Sequence, residues 1–164
     1  MTTLLGRCAG GAVVFLLVLA TQAAAQTMTL TANLNGGEET PAILNTGAVG
    51  TAEVSVDATN RELAVTLKVF NLPTAATAGH IHIGPKGIGG PTVLNFPASL
   101  VGRTGDFTMV FRLGDLAGVF TPRPAIGINT IDDAIQAIVG GNSYVNVHTT
   151  QNPGGEIRGQ LTLP

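Results

Sequence analysis

The amino-acid sequence predicts an all-β domain: an antiparallel β-sandwich or small barrel of Greek-key type, with one short helix near 130–139. Three observations lead there. Glycine is abundant (22 residues) and only 11% of residues are charged, which suits a compact, turn-rich chain better than a helical or disordered one. Seven or eight short segments alternate apolar and polar residues with period two, the spacing at which successive side chains take opposite faces of a strand. Turn-forming clusters of Gly, Pro, Asn and Asp separate them.

Taken in order, Thr27 to Leu34 is the first strand, with Met28, Leu30, Ala32 and Leu34 on one face. A polar, turn-prone stretch from Asn35 to Gly47 follows. Val49 to Asp57 and Glu62 to Phe70 alternate cleanly, and the Asp57-Ala58-Thr59-Asn60 turn between them predicts an antiparallel hairpin. Asn71 to Ala78 reads as a connection into Gly79-His80-Ile81-His82-Ile83-Gly84, where Ile81 and Ile83 share one face and the two histidines the other. Gly84 to Pro91 holds four glycines and two prolines, a loop whose composition does not say whether it is ordered. Thr92 to Phe96 and Asp106 to Leu113 are further short strands. Thr130 to Val139 is the helix: Asp132 and Asp133 lie in its first turn, Ile131, Ile135 and Ile138 share a face, and Gly140-Gly141 stops it. Ser143 to Thr149 and Glu156 to Leu163 form a last pair around Thr150-Gln151-Asn152-Pro153-Gly154-Gly155, with Ile157, Leu161 and Leu163 inward and Glu156, Arg158, Gln160 and Thr162 outward.

Residues 1–25 read as a secretory signal peptide rather than as structure. Arg7 supplies the positive start, Ala12 to Ala20 the apolar stretch, and Ala23-Ala24-Ala25 a small-residue cleavage site before Gln26. The apolar run is short of the ~20 residues that span a bilayer. The expected product is residues 26–164, a single secreted or periplasmic domain of 139 of the 164 residues, with no membrane span. Cleavage removes Cys8, the only cysteine, and with it disulfides, thiolate ligands and thiol nucleophiles. Without Arg7, 7 basic residues stand against 10 acidic ones, with no basic patch, which argues against nucleic acid.

The chain's three histidines, His80, His82 and His148, all fall on polar strand faces. Residues two apart on a strand lie about 6.6 Å apart. Two imidazoles at that spacing can lean toward one ion, and a third from a neighbouring strand completes a three-nitrogen site suited to copper or zinc. Tyr144, Asn146, Glu156 and Arg158 share those faces as supporting residues, with Glu156 the nearest fourth ligand or orienting partner. The same residues could instead satisfy one another by hydrogen bonds, with Glu156 and Arg158 a surface ion pair of little worth. Catalytic motifs are missing: no Gly-x-Ser-x-Gly elbow, and no lysine-bearing phosphate loop. Glu38-Glu39 is a carboxylate pair on a polar loop whose neighbouring side chains point apart, so solvation is the expected role.

The motifs Ala78-Gly79-His80-Ile81-His82-Ile83-Gly84 with Gly87, Gly90 and Pro91, and Tyr144-Val145-Asn146-Val147-His148-Thr149 with Pro153-x-Gly155-Glu156-Ile157-Arg158-Gly159-Gln160-Leu161, resemble the CHRD domain. Leu34-x-Gly36-x-Glu38-Glu39-x-Pro41 is similar to that family's start. The likeness covers about Thr27 to Leu163, with Gly79 where the family often has alanine. The resemblance implies an exported all-β module of the kind first named in chordin, and no settled activity. A fainter likeness, in Gly47-x-Val49-Gly50-x-x-x-Val54, Asn71-Leu72-Pro73 and His80-x-His82, is to the first half of copper/zinc superoxide dismutase. It implies an immunoglobulin-like or dismutase-like architecture but no dismutase activity, because the further ligands of that family are missing. The expectation is therefore an exported CHRD-type module that binds a protein or small-ligand partner, with copper or zinc at His80, His82 and His148. A non-metal structural or adhesion domain is the alternative, and a copper-dependent oxidoreductase a second one. The residues nominate no catalytic group.

Overall fold

The computed structural model describes residues 27–57, 59–113 and 119–164; the reading of residues 1–25 as a signal lies outside them. Eight strands are present among the described residues. They are β1 (Thr27–Asn35), β2 (Val49–Asp57), β3 (Glu62–Leu72), β4 (Ala76–Ile83), β5 (Thr92–Asn95), β6 (Gly105–Arg112), β7 (Ser143–Thr149) and β8 (Ile157–Gln160), with one helix, α1 (Ile131–Val139), between β6 and β7. The expected all-β class with a single short helix is what forms. All eight strands belong to one antiparallel sheet in the order β5-β4-β7-β8-β1-β2-β3-β6.

The alternating segments bury their apolar faces in a single core. Val54 and Val56 of β2 and Leu63, Val65, Leu67 and Val69 of β3 are all at most 1% exposed. Each such side chain contributes roughly 1.5–3 kcal/mol by leaving water. The β2–β3 turn is an Asx turn: Asp57 Oδ1 accepts from the Thr59 and Asn60 amides, both at 3.0 Å. In α1, Thr130 Oγ1 accepts from the Asp133 amide and Asp133 Oδ2 accepts from the Thr130 amide, a capping box that fixes where the helix begins. Ile135 and Ile138 then pack into the core.

Two boundaries differ from the sequence reading by more than two residues. The connection expected at Asn71 to Ala78 is partly strand, because Ala76 is buried and pairs with Thr149. The last strand closes at Gln160, and Leu163 is exposed instead of inward. Thr162 keeps a single bridge to Thr31.

Burial of the polar face of β4, β7 and β8 corrects a larger expectation. Glu156 is fully buried and Arg158 is 2% exposed, so neither points into solvent as expected. The period-two pattern names the face correctly, but loops lie over that face. Arg158 donates to Thr40 Oγ1 (3.3 Å) in the loop after β1, and to the Pro85 and Ile88 carbonyls (3.1 and 3.0 Å) in the glycine-rich loop after β4. Gln160 Nε2 donates to the Gly84 carbonyl at 3.1 Å. The glycine-rich loop is thus an ordered lid. Gly90 lets it close: a Cβ there would collide with the Ile83 carbonyl.

Candidate metal centre

β7 runs beside β4, and this adjacency assembles the histidines. The antiparallel register sets His80 opposite Asn146, His82 opposite Tyr144, and Ala78 opposite His148. Continued across the sheet, one row reads Asn95, His80, Asn146, Arg158, Asn35, one residue from each of five strands. A register irregularity between Ile81 and His82 brings Thr92 of β5 opposite His82.

His80, His82 and His148 each offer a ring nitrogen within 4.8 Å of the others, a cluster that could hold a metal ion. The closest pair is His80 Nδ1 and His148 Nε2, 3.0 Å apart. Nitrogens bound to one ion at about 2.0–2.1 Å stand roughly 2.9–3.4 Å apart at the angles of square-planar or tetrahedral coordination. The pair is therefore already at that spacing. Two such bonds span at most ~4.1 Å, so the 4.8 Å within which all three nitrogens lie leaves at most a small inward shift for a bound ion to make.

Two of the three rings are oriented by backbone carbonyls. His82 Nδ1 donates to the Gly90 carbonyl and His148 Nδ1 to the Pro153 carbonyl, each at 2.8 Å. These assignments follow from the partners, since a carbonyl can only accept. In each neutral ring Nε2 then carries the lone pair, and a carbonyl partner that fixes the tautomer is the usual support of a metal-ligating histidine. Thr92 Oγ1 lies 3.4 Å from His82 Nε2.

All three rings are held uncharged at neutral pH. Burial pushes His80 down to about 4, helped by the charges His148 and His82 would carry, with Asn146 acting weakly the other way. Burial likewise lowers His82 and His148, partly offset by their carbonyl partners. Neutral imidazole is the form that binds metal.

Tyr144 and Arg158 support the cluster from one side. The Tyr144 ring stacks on His82 (centroids 4.8 Å, 10° between planes), and the Arg158 guanidinium lies 3.4 Å from the centre of the Tyr144 ring. A cation held against an aromatic ring is favourable, more so out of water. The Tyr144 hydroxyl accepts from the Gly90 amide at 3.0 Å and donates to the Gly90 carbonyl at 3.3 Å. Asn146 is 3% exposed, and its Oδ1 has no hydrogen-bond partner. Glu156 does not reach the histidines as a ligand; its Oε2 accepts from Thr149 Oγ1 (2.7 Å) and Asn152 Nδ2 (2.6 Å), and so holds the 150–155 turn that carries the Pro153 carbonyl.

Gly90, Thr92 and Pro153 went unmarked in the sequence as parts of this site. Their contributions are two main-chain oxygens and one hydroxyl, which leave no side-chain signature beyond the Gly/Pro loops next to the histidine strands. Glu39 is the other departure. It was expected in solvent, yet it is 9% exposed, while its neighbour Glu38 pairs with Lys86 at 2.8 Å.

Among the described residues no helix is long and apolar enough to cross a membrane. The family model for the CHRD domain matches residues 30–161. No curated protein and no solved structure matches the chain.

Proposed function

Because the chain belongs to the CHRD domain family, whose name by itself specifies no reaction, we propose its role from its own site: an exported CHRD module that binds one copper(II) or zinc(II) ion through His80, His82 and His148. One observation carries this reading. Three imidazole nitrogens lie within 4.8 Å of one another, and in two of the rings a backbone carbonyl takes the Nδ1 proton and leaves Nε2 with its lone pair free to ligate. The ligand set is all nitrogen, which copper and zinc favour over magnesium or calcium. Export is supported by the signal-like first 25 residues.

The test is metal content after dialysis against Cu(II) or Zn(II). One ion per chain is expected in the wild type and none in a variant with all three histidines changed to alanine. A triple variant that kept the wild-type stoichiometry and affinity would rule the site out.

A second reading is favoured by the 3.0 Å contact between His80 and His148, which is also a good N–H···N hydrogen bond. In it the histidines tie β4 to β7 and to the lid, as parts of a structural or interaction domain. That reading predicts that His82→Ala lowers the melting temperature equally with and without metal. The metal reading predicts a larger loss with metal present, because only a bound ion adds stability to the folded state.

A further inference from the structure

We propose that the cleft between the loop after β1 and the 152–155 turn binds a small primary ammonium ion, with the Glu39 carboxylate as its counter-ion. The cleft holds about 170 Å³ and is lined by Glu39, Pro41 and Ile43 on one side and by Pro153, Gly154 and Gly155 on the other. Drug-sized sites run to roughly 300–1,000 Å³, so the occupant is small.

Glu39 is the polar group in that wall with an unpartnered oxygen, although the Thr40 amide hydrogen-bonds its carboxylate. It is nine-tenths buried, and its Oε1 is enclosed without a hydrogen-bond partner. The carboxylate rests against Gly155, whose φ of +141° and lack of a side chain make room for it. A buried carboxylate oxygen without a partner is costly, so its presence beside an open cleft points to a missing donor.

The local charge count gives that donor a sign. Arg158 and Glu156 both act on Glu39 from nearby, in opposite senses, and the Oε1 of Glu156 is also unpartnered. The Arg158 N–H groups go to Thr40 Oγ1 and to the Pro85 and Ile88 carbonyls, none of them a carboxylate. Lys86 is engaged with Glu38. Two carboxylates and one guanidinium leave one negative charge in excess. An empty cleft balances that charge with a proton: burial lifts Glu39 to about 7 against the pull of Arg158. A bound cation would take the proton's place. A divalent metal is disfavoured by the nearby guanidinium and by a single available carboxylate. A primary ammonium supplies N–H donors, and Pro41, Ile43 and Pro153 offer apolar walls for its alkyl end.

The experiment is calorimetric titration of the full chain with n-butylammonium chloride near pH 7, in two buffers of different ionisation enthalpy. Saturable binding of one ion per chain is expected, with release of a fraction of a proton. Tetramethylammonium, which has the charge but no N–H, should bind about tenfold or more weakly. Glu39→Gln should lose binding. So should Gly154→Leu, which adds bulk to a residue lining the cleft at a position where an added Cβ meets nothing within 4 Å; it leaves Glu39 in place and carries the test if Glu39→Gln fails to fold. Absence of saturable binding by the wild type, or wild-type affinity in a folded variant, would overturn the proposal.

Discussion

His80 Nδ1 stands 3.0 Å from His148 Nε2 across the β4–β7 seam, although 68 positions separate the two residues in the chain. This spacing makes the pair the anchor of the candidate centre. His80→Ala and His148→Ala should each lower copper or zinc affinity by more than the roughly 10–100-fold that accompanies loss of a group that only orients a ligand. Competition titration against a chelator of known affinity measures this. A change of only a few fold in either variant would show that the pair does not ligate.

Two buried titrating groups should act on stability in opposite directions. His80 is lowered to about 4 from an ordinary 6.5. Its contribution is whole above the unfolded value and is lost as pH falls through the folded one. Glu39 is raised to about 7 from 4.5, so its contribution is whole below 4.5 and is lost as pH rises through 7. Each is at most about 3 kcal/mol. In the metal-free wild type the two largely offset, with His82 and His148 adding to the His80 side. Single substitutions should unmask the slopes: relative to the wild type, Glu39→Gln gives a melting temperature that climbs more steeply with pH between 4.5 and 6.5, and His80→Gln one that climbs less steeply over the same range. Thermal melts across that range check both signs.

Arg158→Met should be among the most damaging single changes. It keeps much of the volume but removes the cation that acts on Glu39, and it leaves the Pro85 and Ile88 carbonyls without their donor. Removing one partner from a buried charge cluster costs about 3–5 kcal/mol. Urea denaturation measures the loss, and hydrogen exchange over residues 84–90 should show the lid opening more often.

Tyr144→Phe separates the ring from its hydroxyl. The ring stays between His82 and Arg158, while both hydrogen bonds to Gly90 disappear. A cost of about 1 kcal/mol is expected, with metal stoichiometry unchanged. A larger stability loss together with loss of metal would mean that the lid, rather than the ring, positions His82.

The strand faces were legible in the sequence because a period of two is local: Ser143 to Thr149 and Val49 to Asp57 have the bounds that the alternation gives. The histidines were legible as candidates because they are the chain's whole imidazole supply. What covers a face is not local. Glu156 and Arg158 alternate correctly with Ile157, yet they are buried by loops that begin about 70 and 120 residues earlier. Glu39 is shielded by Gly155, and nothing near Glu39 in the chain announces that. The β4–β7 adjacency likewise depends on the sheet order and not on either segment alone.

That sheet order has a consequence for when the centre can exist. The β7–β8 hairpin is synthesised after every other strand, yet it lies in the middle of the sheet, between β4 and β1. Until it arrives, no strand ladder among the described residues joins the ribbon β5-β4 to the ribbon β1-β2-β3-β6. The hairpin is a keystone, and it brings His148, Tyr144, Asn146 and Arg158 in one step. The three-histidine cluster is therefore assembled only at the last step of folding, when the hairpin docks between the two ribbons.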